Sequence, residues 1–233
     1  MEKENVIALN INFVSYSGFE IIGLKELYAD LSENAIIHVR EVPGGLGGGF
    51  YDFCLEVYTG FELEKAIFYG VIGNLATDIL KKTAHKTTIS IKNIFTSFQK
   101  FIANNDAYSP TIESIKIKFL SSEVEINKIG ETLDAKIIGS IWKKIEENYQ
   151  FLYSYKNENI SRIIIPVLKD VIDEKIVFTR PNIFGQIGTL IHTDTDYYKY
   201  WVVSYGINMG HQYLFDVENK KMIENWDDSA FRN

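Results

Sequence analysis

VIALNINFVSYSGFEIIGLKELYADLSENAIIHVREV, Val6–Val42, decides the fold class. Ile7, Leu9, Ile11 and Phe13 alternate with polar or small residues, the two-residue period of a half-buried strand. Ser15–Gly18 is a turn in which Ser17 can cap the following element. Over Phe19–Glu33, Ile21, Leu24, Leu27, Tyr28 and Leu31 recur at three- and four-residue steps, which predicts an amphipathic helix. Asn34 ends it, and Ala35–Val42 returns to strand character. A strand–helix–strand opening with short links favours a layered α/β or α+β arrangement.

Working outward, PGGLGGG (Pro43–Gly49) follows the second strand, and Phe50–Tyr58 alternates again, with Tyr51, Phe53, Leu55 and Val57 on one side. Glu62–Lys82 and Ile91–Ile102 have helical period, the second with Ile94, Phe95, Phe98, Phe101 and Ile102 inward and Lys92 and Lys100 outward. Ile115, Ile117 and Phe119 mark a strand. Ser121–Ser122 turns it into Glu123–Ile129, and Asp134–Tyr155 is a long amphipathic helix. Beyond Lys156–Ser161 the chain changes to short β-rich runs, Arg162–Leu168, Lys175–Thr179, Gly188–His192, Tyr198–Tyr205 and Gln212–Val217, read as an antiparallel meander. The expected fold is therefore α+β. A mixed strand–helix–strand part over residues 1–155 precedes a β-rich antiparallel part over 156–233, which stands alone or packs on the first.

Composition narrows the function classes. The chain has 233 residues, 46% of them hydrophobic and 14% aromatic, enough for a generous core and too apolar for intrinsic disorder. One cysteine, Cys54, excludes a disulfide scaffold, and flanked by Phe53 and Leu55 it reads as a small buried side chain. The N-terminus lacks the pattern of a secretory signal, and no apolar run reaches the roughly 18 residues of a membrane helix. The expected setting is the cytoplasm. A net charge of −7 is the wrong sign for a general nucleic-acid binder. The lysine-rich segment Lys81–Lys118 is the exception, yet its phenylalanines fall on the helix face opposite Lys92 and Lys100 and read as core.

Three groups of residues are candidates for chemistry or binding. Gly44, Gly45, Gly47, Gly48 and Gly49 follow a strand and can bring backbone N–H groups to a phosphate, although the stretch has neither a P-loop ending nor a proper G-x-G-x-x-G. His192, Asp194 and Asp196 form H-x-D-x-D. In an extended segment they share one face and suit a divalent metal, completed by His211 or Asp216. That set is the alternative catalytic reading, a metal-dependent hydrolase or nuclease. Tyr198, Tyr200 and Trp201 combine apolar bulk with polar tips, as interface residues do. No nucleophile elbow or acid–base motif is present.

The order of elements carries a resemblance. Strand VIALNIN, helix GLKELYADL, strand AIIHVREV, the turn PGGLGGG, helix AIFYGVIGNLATDIL, the hairpin SIKIKFLSSEVEINKI and helix AKIIGSIWKKI together resemble the effector-associated constant component domains of bacterial conflict systems, over roughly residues 5–150. The resemblance implies a small α+β adaptor and transfers no catalytic residue. The sequence thus favours a non-enzymatic interaction or adaptor protein, without a cofactor, that binds a protein partner or its own copies. The alternatives are the metal-dependent hydrolase and a nucleotide sensor closing its glycine loop on the ligand.

Overall fold

A computed structural model describes residues 7–15, 23–43, 51–58, 77–105, 111–119, 122–127, 135–181, 193–206 and 211–231. The protein is a mixed α+β protein whose chain divides into two compact units, Met1–Leu120 with Ile129–Ser140, and Ser121–Lys128 with Ile141–Asn233. The second unit takes in residues that the sequence reading placed before a boundary at 155/156.

The first unit is built from two strand–helix–strand crossovers. Strand β1 (Ala8–Ser15) runs through helix α1 (Leu24–Ser32) to β2 (Ile36–Pro43), and the two strands pair in parallel. Strand β3 (Tyr51–Tyr58) and β4 (Thr111–Phe119) also pair in parallel, with helix α2 (Thr77–Asn104) between them in the chain. β1 and β3 are antiparallel, so the strand order in this unit is β4-β3-β1-β2. Gly23 opens α1 at φ 84°, a left-handed conformation in which a Cβ would be strained. The expected helix begins at Phe19, and Phe19–Ile22 lie outside the described residues.

Register explains which face is buried. Leu9 stands opposite Val57 and Ile11 opposite Leu55, all at most 1% exposed. Against this apolar face α2 presents Ile91, Ile94, Phe95, Phe98, Phe101 and Ile102, with Lys92 and Lys100 exposed. Phe53 meets Phe98 edge-on at 5.5 Å and Phe101 at 5.8 Å. The phenylalanines of the lysine-rich segment are core, as their helical spacing demands. One continuous helix replaces the tail of the expected Glu62–Lys82 helix and all of Ile91–Ile102.

The opposite register set is polar: Asn10, Glu56 and Lys116 align across three strands, as do Asn12, Cys54 and Ser114. Cys54 is partly buried rather than fully enclosed. Lys118 donates to Glu56 at 3.0 Å and the Tyr58 hydroxyl donates at 2.9 Å. Burial pushes the Glu56 carboxyl up, but these hydrogen bonds, the Lys118 charge and a further bond from Asn10 prevail, and it lies below its ordinary value of 4.5. A depressed carboxylate contributes stability that is present above its unfolded pKa and lost as pH falls through the folded value. Glu56→Gln is therefore expected to flatten the loss of stability below pH 4.5, read from urea midpoints of both proteins across that range.

In the second unit, strand β5 (Ser122–Asn127) pairs in parallel with β6 (Ile160–Ile165); helix α3 (Ala135–Lys156), which belongs to this unit from Ile141 onward, lies between them in the chain. β6 pairs antiparallel with β9 (Tyr200–Tyr205), β9 with β10 (His211–Asp216), and β10 with β11 (Lys221–Ile223). The described pairings within 156–233 are all antiparallel, and the parallel pair β5–β6 joins that part to an earlier strand. Pro166 has no N–H for a ladder, and β6 ends before it. The chain then forms a separate two-stranded hairpin, β7 (Leu168–Ile172) and β8 (Lys175–Thr179).

One face of this sheet packs on α3. Phe151 stacks on Phe215 at 5.6 Å, and the Tyr205 hydroxyl donates to the Leu152 carbonyl at 2.5 Å. The other face has an apolar half, where Ile164, Val202 and Leu214 are covered by Val167, Phe178, Trp226 and Phe231. Its other half is polar, with Arg162, Ser204 and Gln212 in register.

Candidate functional site

The expected metal set does not assemble among the described residues. Asp194–Tyr198 is a 3-10 helix rather than an extended segment, so Asp194 and Asp196 lose the alternation that would have put them on one face. The cause is a local cap between Thr193 and Asp196. The Thr193 backbone N–H donates to Asp196 Oδ2 at 2.6 Å, and the Thr193 hydroxyl donates to the same oxygen at 3.0 Å. Lys199 pairs with the other oxygen at 2.8 Å. Burial pushes the Asp196 carboxyl up, yet these donors outweigh it and hold it below its ordinary value. Asp216 accepts from the backbone N–H and side-chain amide of Asn219, both at 3.0 Å, and His211 is exposed. No group of three or more His, Cys, Asp or Glu side chains able to hold a metal occurs among the described residues. His192 lies outside them, as do Gly44, Gly45, Gly47, Gly48 and Gly49.

The aromatic trio divides. Trp201 has no exposed surface; it sits 5.7 Å from Phe215 and donates its indole N–H to the Tyr197 carbonyl at 2.7 Å. The strand register puts it on the face under α3, so it is a core residue, and the expectation of an interface role for it is corrected. Tyr200 points to the other face, where it is partly buried against Phe178 at 5.4 Å. Tyr198 ends the 3-10 helix and is also partly buried.

Two features escaped the sequence reading. The first is the tip of the β7–β8 hairpin. Asp173 and Glu174 form its turn at φ 50° and 64°, the left-handed pair that matches the twist of a tight hairpin. The base is anchored by Leu168, 5% exposed, and by Phe178. Beyond it, Val171 is 62%, Ile172 51% and Ile176 56% exposed. The second is a polar row across four strands, Glu123–Arg162–Ser204–Gln212, set by consecutive register pairs. Glu125, on the same side of β5 and 7% exposed, pairs with Arg162, whose Nε also lies 3.4 Å from Glu123. Alternation in LKDVIDEKIVFT around Asp-Glu could have revealed the hairpin; only tertiary register reveals the row.

The fold and these features describe a mixed α+β protein with an apolar hairpin and a buried polar row. No family model matches the chain, and neither a curated protein nor a solved structure matches it. No helix among the described residues is long and apolar enough to cross a membrane.

Proposed function

We propose that the protein is a non-enzymatic interaction or adaptor protein of the cytoplasm that docks a protein partner through the tip of the β7–β8 hairpin. The observation that carries this reading is the exposure of Val171, Ile172 and Ile176 together on a two-stranded element. Exposed aliphatic side chains are ordinary singly, but Val171 and Ile176 are direct cross-strand partners on one face of the hairpin, and Ile172 is exposed on its other face. A lone two-stranded hairpin is marginal in water, so aliphatic residues at its tip gain most from a surface that covers them. Covering each contributes roughly 1–2 kcal/mol. The resemblance of residues 5–150 to constant components of bacterial conflict systems supports the same class of role. The hydrolase reading through His192, Asp194 and Asp196 and the sensor reading through Gly44–Gly49 draw no comparable support from the described residues.

The test replaces Val171, Ile172 and Ile176 together by Ser. Sedimentation velocity and crosslinking from a photoreactive residue placed at 173 compare the variant with the parent chain. The expected result is loss of self-association or of a crosslinked partner while the urea midpoint stays within the range of surface changes, about 0.5 kcal/mol. Association that survives the triple replacement overturns the reading.

A further inference from the structure

Around the polar row of the second unit, buried hydrogen-bonding groups stand without protein partners. Ser204 Oγ, Gln212 Oε1 and Arg180 Nε are all buried and make no hydrogen bond, whereas Arg162 Nε faces Glu123 at 3.4 Å. They belong to one neighbourhood. Ser204 is the direct register partner of both Arg162 and Gln212. Arg180 and Gln212 donate to the same acceptor, the Phe231 carbonyl, at 3.2 and 3.4 Å. Ser204 itself has 0% exposure. A buried polar atom left unpaired is costly, and three of them in one place are seldom kept without an occupant.

The chemistry of the unmet groups defines what fits. Arg180 offers an N–H donor, Ser204 offers a hydroxyl that donates or accepts, and Gln212 Oε1 needs a donor. The charges are not evenly matched. Arg162 is engaged by both Glu123 and Glu125, whereas Arg180 forms no ion pair among the described residues and rests over the Phe231 ring at 5.1 Å. Burial pushes the Arg180 guanidinium down from its ordinary value, Glu125 opposes that, and the charge of Arg162 adds to it. A single added negative charge relieves Arg180. A multiply charged phosphate would meet Glu123 and Glu125 at close range.

We propose that this cluster binds a small monocarboxylate carrying its own hydroxyl or amino group, an α-hydroxy or α-amino acid. The carboxylate accepts from Arg180 Nε, with the Ser204 hydroxyl as a further donor, and the hydroxyl or ammonium group donates to Gln212 Oε1. This site is separate from the hairpin tip, and its test does not depend on any protein partner.

The experiment uses the full chain and four classes of probe: free amino acids, glycolate and lactate, acetate, and inorganic phosphate, each at matched ionic strength. Thermal midpoints are recorded together with the ¹⁵N–¹H signals of the arginine Nε groups, assigned with Arg162→Lys and Arg180→Lys. At a probe concentration near a hundred times Kd, an amino or hydroxy acid is expected to raise the midpoint by about 5 °C or more. The Arg180 Nε signal is expected to move in step. Acetate has a weaker effect and phosphate none. Gln212→Leu and Ser204→Ala are expected to weaken binding at least tenfold, and the arginine signals of the parent chain give the answer should either variant fail to fold. No midpoint change and no arginine shift with any probe means that the cluster holds only water, and overturns the proposal. An effect of phosphate alone, or one equal in Ser204→Ala and the parent, overturns it as well.

Discussion

Arg162→Met is expected to lower the unfolding free energy of the second unit by about 3–5 kcal/mol, the usual penalty for removing one member of a buried ion cluster. The side chain is 19% exposed and stands between the half-buried Glu123 and the buried Glu125. Without it, two carboxylates two residues apart on one strand face each other with no intervening cation, in surroundings that solvate them poorly. The loss is therefore mainly the uncovered carboxylates, rather than the worth of the pair. That distinction is measurable. Adding Glu123→Gln and Glu125→Gln to Arg162→Met removes the stranded charges and is expected to restore most of the lost stability, read as urea midpoints at neutral pH. A triple variant as unstable as the single one would show that Arg162 acts through packing of its aliphatic stem.

Trp201→Ala is expected to cost a similar amount, about 3–5 kcal/mol, because it empties a large fully enclosed volume. The indole is covered by Phe215 and its N–H satisfies the Tyr197 carbonyl. Trp201→Phe keeps most of the volume and loses the donor, and is expected to cost about 1–3 kcal/mol. Chemical denaturation of the three proteins separates the two contributions. If Trp201→Ala left the urea midpoint unchanged while abolishing association, the residue would be a surface anchor and its placement in the core would be wrong.

The elements that were legible in the sequence are those whose evidence is local. The alternation of Ile7, Leu9 and Ile11 and the spacing of Phe95, Phe98, Phe101 and Ile102 each name a buried face without reference to the rest of the chain, and the buried residues agree. What was not legible depends on neighbours. Alternation tells which side of a strand is buried but not which strand lies beside it, so the parallel pairing of β5, which reads as a hairpin arm, with β6, which reads as the first run of a meander, was not legible. Trp201 and Tyr200 are adjacent aromatics of similar character, and only register assigns them to opposite faces. The spacing Thr193-x-x-Asp196 was itself a helix-start signal that competed with the extended reading of H-x-D-x-D, and the cap prevailed. Glu123, Arg162, Ser204 and Gln212 are too far apart in the chain for any motif to join them.

The discontinuity of the two units has a meaning for how such a protein can be cut, fused or shuffled. Ser121–Lys128 belongs to the second unit and Ile129–Ser140 to the first, so the chain passes from one unit to the other three times. A gene broken at any single codon cannot deliver both units whole. Severed after residue 155, the downstream piece would inherit Arg162 but forfeit β5 and both of the carboxylates that neutralise it. Neither unit is a cassette that recombination could move in one stroke. The two are bound to be inherited together.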